Sequence, residues 1–182
     1  MRTDDTLVER CQAGERMAWR QLHRKYYPII AAFLRRLGVN RRELEDACQD
    51  VFLRMFRFLP SFRGEADLKT WLYRLCSTEA TRLRRRNRMP DDTPVLVGCE
   101  SDDLVTDGPG ISAPVAAEKC RAALRRLGEA ERLVFVLYEI DGLSGHRIAE
   151  TVGCPVATVW RRLHYARRRF RSALLGAEDT AA

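Results

Sequence analysis

Arginine and aromatic side chains are concentrated in two stretches of the sequence. The stretch 158–170, TVWRRLHYARRRF, contains five arginines together with a tryptophan, a histidine and a tyrosine. In the stretch 68–88, LKTWLYRLCSTEATRLRRRNR, Trp71 and Tyr73 precede a basic end with five arginines in the last seven positions. Guanidinium groups bind phosphates and aromatic rings stack on unpaired bases, so these residue types favour binding of nucleic acid. Basic runs are also common on ordinary solvated helices, and the surrounding pattern must decide between the two.

Residues 156–170 have the periodicity of a helix with one apolar face. Five apolar residues recur at spacings of three and four, namely Val156, Val159, Leu163, Ala166 and Phe170. The opposite face and its flanks carry Thr158, Arg161, Arg162, His164, Tyr165, Arg168 and Arg169. Trp160 falls at the edge of the apolar stripe, where a residue at the margin of the core is the favoured interpretation.

The residues before this helix complete a supersecondary motif. In SGHRIAETVGCP, residues 144–155, a short helix is followed by Gly153, which permits a positive φ, and by Pro155, which suits a first helical turn. A short helix, a glycine turn and a second helix form the plan of the helix-turn-helix motif. Because the second helix also has a basic outer face, the sequence predicts that this face binds duplex DNA.

A third segment, 41–59, combines an apolar stripe with an acidic and amide face. Asp46, Gln49, Asp50 and Leu53 recur at i, i+3, i+4 and i+7, and Phe52 of the apolar stripe lies beside them. Carboxylates and an exposed leucine do not suit a DNA-contacting surface within a basic half of the chain. The pattern favours a surface that binds a protein partner, with a merely solvated face as the alternative.

The segment from Leu68 to Arg88 is predicted to bury most of its leucines and to expose its polar and aromatic side chains. The predicted exposed set is Trp71, Tyr73, Arg74, Ser77, Thr78, Thr81, Arg82, Arg84, Arg85, Arg86 and Arg88. This combination is typical of surfaces that hold single-stranded nucleic acid. Periodicity alone leaves open whether Trp71 contacts bases or belongs to the core.

The sequence offers no support for an enzyme or a metal centre. His23, His146 and His164 are far apart, and no carboxylate cluster of catalytic type accompanies them. Six cysteines occur singly, at 11, 48, 76, 99, 120 and 154, without C-x-x-C spacing. We therefore expect no cofactor and no metal, and we expect the cysteines to act as small buried apolar residues in a reducing compartment. No signal segment or membrane span is evident, so we expect a cytoplasmic protein.

Charge and composition divide the 182 residues into two lobes and a connection. The net charge is +7, and basic residues are in excess in 1–88 and in 118–182, whereas 89–117 contains acidic but no basic residues. This middle segment is rich in proline and glycine and is predicted to be a flexible linker. The predicted fold is all-α, with a helical domain over 1–88, a helix-turn-helix domain over 118–176 and a tail over 177–182.

Helical periodicity places the elements within this frame. We expect two helices in 6–37, with Pro28 near the start of the second, a third over 41–59 and a fourth from about 68 to 88. Helical pattern resumes near Ala116, with breaks at 127–128, 141–142 and 152–155.

Together these segments resemble the extracytoplasmic-function group of the sigma-70 superfamily, the sigma subunits of bacterial RNA polymerase. The resemblance covers about 7–88 and 118–175 and is carried by YYPIIAAFLRRLG, EDACQDVFLRMFRFLPSFRGEADLKTWLYRL and LVFVLYEIDGLSGHRIAETVGCPVATVWRRLHYARRRF. It implies two helical domains on a flexible linker. The first would dock on core RNA polymerase and open the minus-ten promoter element, and the second would bind the minus-35 element as duplex.

The resemblance also implies a role for each surface and a set of partners. The acidic face of 41–59 falls on the segment that docks on polymerase, and the aromatic and basic set of 68–88 falls on the minus-ten segment. The basic face of 158–169 falls on the minus-35 recognition helix. Core polymerase, promoter DNA and an anti-sigma factor are the implied partners.

Several positions depart from the family pattern. Thr78 and Arg82 stand where an asparagine and an aspartate are frequent, and Gly145 opens a helix that usually begins with an acid. Trp160 stands where a basic residue is common, and Arg161 where a small one is common. These departures prevent the transfer of a promoter sequence from other members of the family.

Two other classes of protein compete with this interpretation. A stand-alone helix-turn-helix regulator would bind its operator tightly without polymerase. An RNA-binding or nuclease-like enzyme would need catalytic clusters that the sequence lacks. Because the linker is flexible and each lobe offers a small surface, we expect DNA recognition to be split between the lobes and to depend on polymerase.

Overall fold

A computed structural model describes residues 3–64, 67–87 and 113–175, and all regular structure in these ranges is helical. The α-helices are α1 (Thr3–Gln12), α2 (Arg16–Arg36), α3 (Arg41–Phe58), α4 (Leu68–Asn87), α5 (Ala113–Arg125), α6 (Glu129–Phe135), α7 (Gly145–Val152) and α8 (Val156–Leu175). A 3₁₀ turn, Leu59–Ser61, follows α3, and a π-helical turn, Val136–Ile140, continues α6. The prediction of an all-α fold is confirmed.

Most predicted helix boundaries agree with the structure. α3 and α4 occupy the predicted segments, and the second half of the chain breaks at the three predicted places. α5 begins at Ala113, so the end of the predicted linker, 113–117, is helical. Residues 89–112 of the linker and the tail 177–182 lie outside the described residues.

The predicted helix boundary near Pro28 is wrong. α2 runs from Arg16 to Arg36 through Pro28, and the chain turns earlier, at Gly14, where φ is +81°. A proline inside a helix removes a backbone hydrogen bond and costs about 3 kcal/mol. Burial of apolar side chains on both sides of the proline, including Tyr26 and Ile30, outweighs that cost.

The helices form two lobes whose buried apolar residues belong to one continuous cluster. In the first lobe, α1–α4, the core includes Phe33, Met55 and Leu72, all almost fully buried. In the second lobe, α5–α8, Ile148 of α7 and Leu163 of α8 are buried in the same way. The apolar periodicities of α3, α4 and α8 thus account for the faces that these helices bury.

The predicted helix-turn-helix consists of α7 and α8. The Ser144 hydroxyl caps α7 by accepting a hydrogen bond from the backbone N–H of Arg147 at 3.4 Å. α7 ends at Gly153, whose φ of +69° lies in the left-handed region that glycine adopts without strain. Pro155 directly precedes the first residue of α8. The turn predicted at Gly153 is confirmed.

A buried carboxylate that the sequence analysis did not identify ties α3 to α4. Glu79 of α4 is 0% exposed and forms ion pairs with Arg54 of α3 at 3.0 Å and with Arg82 of α4 at 2.7 Å. Removing a charge from water is costly unless the charge is paired and hydrogen-bonded. The two arginines therefore hold Glu79 in the interior of the first lobe.

The lobes contact each other along α4, and polar groups meet at this interface. The Tyr73 hydroxyl of α4 donates a hydrogen bond to the carboxylate of Asp141 at 2.8 Å. Arg147 of α7 forms an ion pair with Asp67, directly before α4, at 3.0 Å. The helix-turn-helix is thus held against the first lobe through both its preceding loop and its first helix.

A buried arginine also lies between the lobes. Arg132 of α6 donates to the backbone carbonyl of Leu37 in the first lobe at 2.9 Å and to two carbonyls of its own lobe. Burial lowers the pKa of this guanidinium to about 10. Gly38, with a φ of +91°, leaves room for it, because a Cβ there would clash with its Nη1.

The cysteines follow their predicted role in the first lobe. Cys11, Cys48 and Cys76 are buried, and burial raises the pKa of Cys48 to about 11, so its thiol stays protonated. Cys120 is exposed and Cys154 is half-buried, which departs from the prediction. Cys99 lies outside the described residues.

We expect Glu79→Ala to lower the free energy of unfolding by about 1–3 kcal/mol, because it removes the carboxylate that Arg54 and Arg82 share while both arginines keep access to water. Glu45→Ala, on the exposed surface of α3, is the matched control and should change stability by less than about 0.5 kcal/mol. Urea unfolding followed by circular dichroism measures both. Equal midpoints for the two variants would contradict a structural role for the Glu79 pair.

Candidate nucleic-acid interface

The acidic and amide face of α3 is exposed at most of its predicted positions. Asp46 and Gln49 are exposed, and Leu53 is 67% exposed. Asp50 is half-buried, and its carboxylate forms an ion pair with Arg82 of α4. Asp50 therefore lies where this face meets the basic surface of α4.

An aromatic strip that the sequence analysis did not identify borders this face. It consists of Trp19, His23 and Tyr27 of α2 with Phe52 and Phe56 of α3. The ring centroids of His23 and Phe52 are 4.3 Å apart, and those of Trp19 and Phe56 are 4.9 Å apart. Phe56 is 62% exposed. The i, i+4 recurrence of aromatic residues in both helices is the signal that could have predicted the strip.

The basic face of α4 lines a cleft of about 630 Å³ between the two lobes. The first lobe contributes Arg54, Arg74, Ser77, Thr78, Thr81, Arg82 and Arg85. The second lobe contributes Leu133, Thr151, Val152 and Gly153. Six of the predicted residues of α4 are thus brought together, and they face the helix-turn-helix.

Three residues of this basic face are bound to the second lobe. The Arg74 guanidinium donates to the backbone carbonyls of Glu150 and Thr151 in the last turn of α7, where the helix dipole favours a cation. The Thr81 hydroxyl donates to the Glu129 carboxylate at 2.6 Å, and Arg84 pairs with the same carboxylate at 3.2 Å. Part of the surface predicted to contact nucleic acid is therefore covered by protein.

The remaining polar residues of α4 have local partners or face solvent. The hydroxyls of Ser77 and Thr78 donate to backbone carbonyls one turn earlier, at 2.7 and 2.9 Å. Arg86 pairs with Glu43 of α3 at 2.9 Å, and Arg85 is exposed. The predicted residue Arg88 lies outside the described residues.

The prediction that Tyr73 is an exposed stacking residue is wrong. Tyr73 is 1% exposed, its ring packs on Phe33 with centroids 4.4 Å apart, and burial raises the pKa of its phenol. Trp71 is half-buried beside Phe62, with centroids 5.2 Å apart. Residues two positions apart lie on opposite sides of a helix, so Trp71 and Tyr73 cannot both belong to one surface. This geometric rule leaves Trp71 alone as the aromatic candidate of α4.

The outer face of α8 carries the second set of predicted residues. Arg161, His164, Tyr165 and Arg168 are exposed, and Thr158 is half-buried. Val159, Leu163 and Ala166 are buried, which confirms the predicted division of this helix into an apolar and a basic face.

Two of the predicted arginines of α8 have partners within the second lobe. Arg162 donates to the Cys154 sulfur at 3.7 Å, and Arg169 pairs with Glu131 at 2.9 Å. Both lie at the flanks of the outer face. Arg161 and Arg168 are exposed and take part in neither of these contacts.

A groove of about 500 Å³ adds a residue that the sequence analysis did not identify. It is lined by Arg126, Tyr165, Arg168, Arg169, Ser172 and Ala173. Arg126 directly follows α5, so the second lobe presents a basic surface built from α8 and from the turn after α5. Such a surface suits the phosphate backbone of a duplex, which carries charge along two strands.

Among the described residues, no group of three or more histidine, cysteine or carboxylate side chains is placed to hold a metal ion. No helix in the described ranges combines the length and the apolar character needed to cross a bilayer.

The sequence matches two family profiles that correspond to the two lobes. Sigma-70 region 2 matches residues 22–89, and Sigma-70, region 4 matches residues 118–170. The ECF RNA polymerase sigma-E factor of Haemophilus influenzae is 33% identical over 94% of this chain and 95% of its own length. The corresponding factor of Escherichia coli K12 is 34% identical over 91% of each chain. The RNA polymerase sigma-H factor of Pseudomonas aeruginosa is 32% identical over 94% of this chain and 93% of its own.

Two solved structures are similar to this fold. The sigma factor RpoE of Bartonella quintana, crystallised with the anti-sigma factor NepR, superimposes with a TM-score of 0.67 at 26% identity, covering 85% of this chain and 95% of that one. CnrH, in complex with the cytosolic domain of CnrY, superimposes with a TM-score of 0.70 at 24% identity, covering 94% and 96%. At this identity, the similarity to CnrH shows a shared fold.

Two helical lobes, a helix-turn-helix with a basic outer face and a second basic helix define a transcription initiation factor. The chain belongs to the sigma-70 family, in its extracytoplasmic-function group. It is an RNA polymerase sigma factor that directs transcription initiation. The competing interpretation as a stand-alone regulator does not account for the match to region 2 across the first lobe.

Proposed function

We propose that three surfaces of this sigma factor have separate roles in transcription initiation. The exposed face of α3 docks on core RNA polymerase, α4 contacts the melted minus-ten element, and the outer face of α8 recognises the minus-35 element as duplex. The observation that carries the proposal is the separation of an acidic and aromatic surface on α3 from two basic surfaces on α4 and α8. Each surface has the side chains that its partner requires.

The docking surface combines charge with apolar area. Asp46 and Gln49 are exposed beside Leu53 and the aromatic strip. Protein interfaces characteristically have aromatic and aliphatic anchors at the centre with charged groups around them. A basic surface on polymerase, with a cavity for Leu53 or Phe56, is the complement that this arrangement fits.

The minus-ten surface is built from the arginines of α4 and from Trp71. Arg74, Arg82 and Arg85 line the cleft within reach of a strand that would follow α4. Trp71, half-buried near the start of α4, offers part of a ring on which an unpaired base could stack. Phosphate contacts combined with a stacking surface are how proteins commonly bind single-stranded DNA.

Access to the minus-ten surface requires the lobes to separate. We call the arrangement in this structure, in which the two lobes are in contact, the closed arrangement. In it, Arg74 is bound to α7, and Thr81 and Arg84 are bound to Glu129. Docking on polymerase would hold the two lobes apart and fix their spacing. Free protein would then bind promoter DNA weakly, and the holoenzyme would bind it at two separated sites.

An anti-sigma factor is the further partner that we assign to this chain. The similar sigma factor of Bartonella quintana was crystallised with one, at an identity of 26%. The exposed apolar residues of α3 offer such a partner the same surface that polymerase would use. The protein would act in the cytoplasm as a binding factor, without catalytic activity, cofactor or metal of its own.

The docking proposal predicts that Asp46→Arg weakens binding to core polymerase by about 2 kcal/mol or more, because it places like charges together in a desolvated contact. Glu9→Arg makes the same charge change on an exposed part of α1 and serves as the control. Co-purification and titration with core enzyme measure the effect on variants whose helicity is unchanged. Equal affinities of the two variants would refute docking through α3.

The minus-35 proposal predicts different effects for two arginines of α8. Arg161 lies near the N-terminal end of the helix, so Arg161→Ala should relax preference at one base pair at a cost of about 1–3 kcal/mol. Arg168 lies two turns further on, in the basic groove, so Arg168→Ala should weaken all duplexes alike and lower the salt slope by about one. Binding profiles of holoenzyme over randomised minus-35 elements distinguish them. The same profile for both variants would exclude this division of roles.

The closed arrangement predicts that Glu129→Ala increases the affinity of the free protein for single-stranded DNA. The variant removes the acceptor of Thr81 and Arg84 without changing a proposed DNA contact, and surface pairs of this kind contribute up to about 1 kcal/mol, or fivefold. Glu118→Ala, whose partners Arg121 and Arg125 lie in its own helix, is the control. Fluorescence anisotropy at constant salt measures both. An unchanged affinity for Glu129→Ala would argue that the closed lobes do not limit access.

A further inference from the structure

Trp160 of α8 packs against a glycine of α7 in a contact that no larger residue would allow. A Cβ added at Gly145 would lie 2.5 Å from Cζ2 of the indole, 3.0 Å from Cη2 and 3.1 Å from Cε2. The ring of Tyr138 meets the indole edge-on, with centroids 5.4 Å apart and an interplanar angle of 77°. The indole is therefore held between the start of α7 and the π-helical turn.

The indole explains why residue 145 is glycine. The three heavy atoms nearest to the missing Cβ all belong to Trp160, and Gly145 does not have the positive φ that would itself require glycine. Gly145 and Trp160 are also two of the positions at which the sequence departs from the family pattern. Because the two residues are in contact, the size of the side chain at either position limits what the other can be.

The other side of the indole faces solvent on the proposed DNA-binding surface. Trp160 is 44% exposed, and its neighbours on the helix surface, Ala157, Arg161 and His164, are exposed as well. Trp160 belongs to the N-terminal turns of the second helix of a helix-turn-helix. In this motif those turns enter the major groove and contact base edges.

We propose that Trp160 is a specificity-determining residue whose indole contacts the C5-methyl group of a thymine in the minus-35 element. This inference rests on the proposed function of α8. An indole edge has no charge with which to bind a phosphate, and the thymine methyl is the apolar feature of the major groove. Gly145 and Tyr138 position the ring before DNA arrives, so little side-chain freedom is lost on binding.

The test removes one methyl group at a time from the DNA. The preferred minus-35 element is first selected from a randomised promoter library with holoenzyme, and each thymine on either strand is then replaced by deoxyuridine. For the wild-type protein, one replacement should lower promoter binding about fourfold, the factor that corresponds to one buried methyl group at about 0.8 kcal/mol. For Trp160→Ala, the same replacement should have no effect. Trp160→Phe, which keeps a smaller ring, should retain part of the fourfold effect of this replacement.

Gly145→Ala tests the positioning of the ring. The added methyl group must displace the indole, so this variant should lose the response to deoxyuridine although its sequence at 160 is unchanged. In the double variant Gly145→Ala, Trp160→Ala the glycine substitution should have no further effect on base preference. Thermal unfolding verifies that each variant is folded, and Leu175→Ala, an exposed apolar residue at the far end of α8, is the control that should respond like wild type.

Three outcomes would overturn the inference: no thymine with a methyl effect in the wild type, a methyl effect that persists in Trp160→Ala, or an unchanged response in Gly145→Ala. Arg161→Ala, measured on the same library, separates this failure from failure of the proposed function. If Arg161→Ala changes base preference and Trp160→Ala does not, α8 binds the minus-35 element without a contact from the indole. If neither changes it, the assignment of α8 itself is wrong.

Discussion

The guanidinium groups of α4 need acceptors, and in this structure the protein supplies them. Arg74 is bound to the end of α7, Arg84 to Glu129, and Arg82 to Glu79 and Asp50. A helix with this charge would repel itself and its neighbours if its arginines were left unpaired. Together with the buried apolar residues, these contacts fix the packing of the two lobes, the cleft between them and the position of the helix-turn-helix.

The ion pairs of these arginines also connect the proposed docking surface of α3 with the proposed DNA-contacting surface of α4. Arg82 joins the basic surface of α4 to Asp50 on the docking face of α3. A partner that draws Asp50 into a new contact changes the electrostatic surroundings of Arg82, and through Glu79 those of Arg54. If α3 docks on polymerase as proposed, this chain of neighbouring charges would couple docking to the proposed DNA contacts of α4.

Apolar periodicity and turn residues were sufficient to predict most of the helices and the helix-turn-helix, because each is a local consequence of sequence spacing. The two lobes were predicted from the distribution of charge and composition. Gly153 is the clearest case, since its positive φ is a property of one residue. Pro28 shows the limit of local reasoning, because burial of its neighbours keeps α2 continuous. Tyr73 shows another limit: whether an aromatic residue is buried depends on Phe33 and Asp141, both distant in sequence. Glu79 could not be found for the same reason, since its partner Arg54 lies on another helix.

Arg132 is buried at an energetic cost while the two lobes are in contact. Its guanidinium is removed from water between the lobes and is bound to neutral carbonyls, and its Nε is buried without an acceptor among the described residues. Three carbonyls compensate only in part for the hydration that an isolated cation loses on burial. If the lobes separate on docking as proposed, the guanidinium loses its bond to Leu37 and regains part of this hydration, which would offset part of the loss of the contacts along α4. The cost of burying the Arg132 guanidinium should thus lower the free energy that is needed to separate the two lobes.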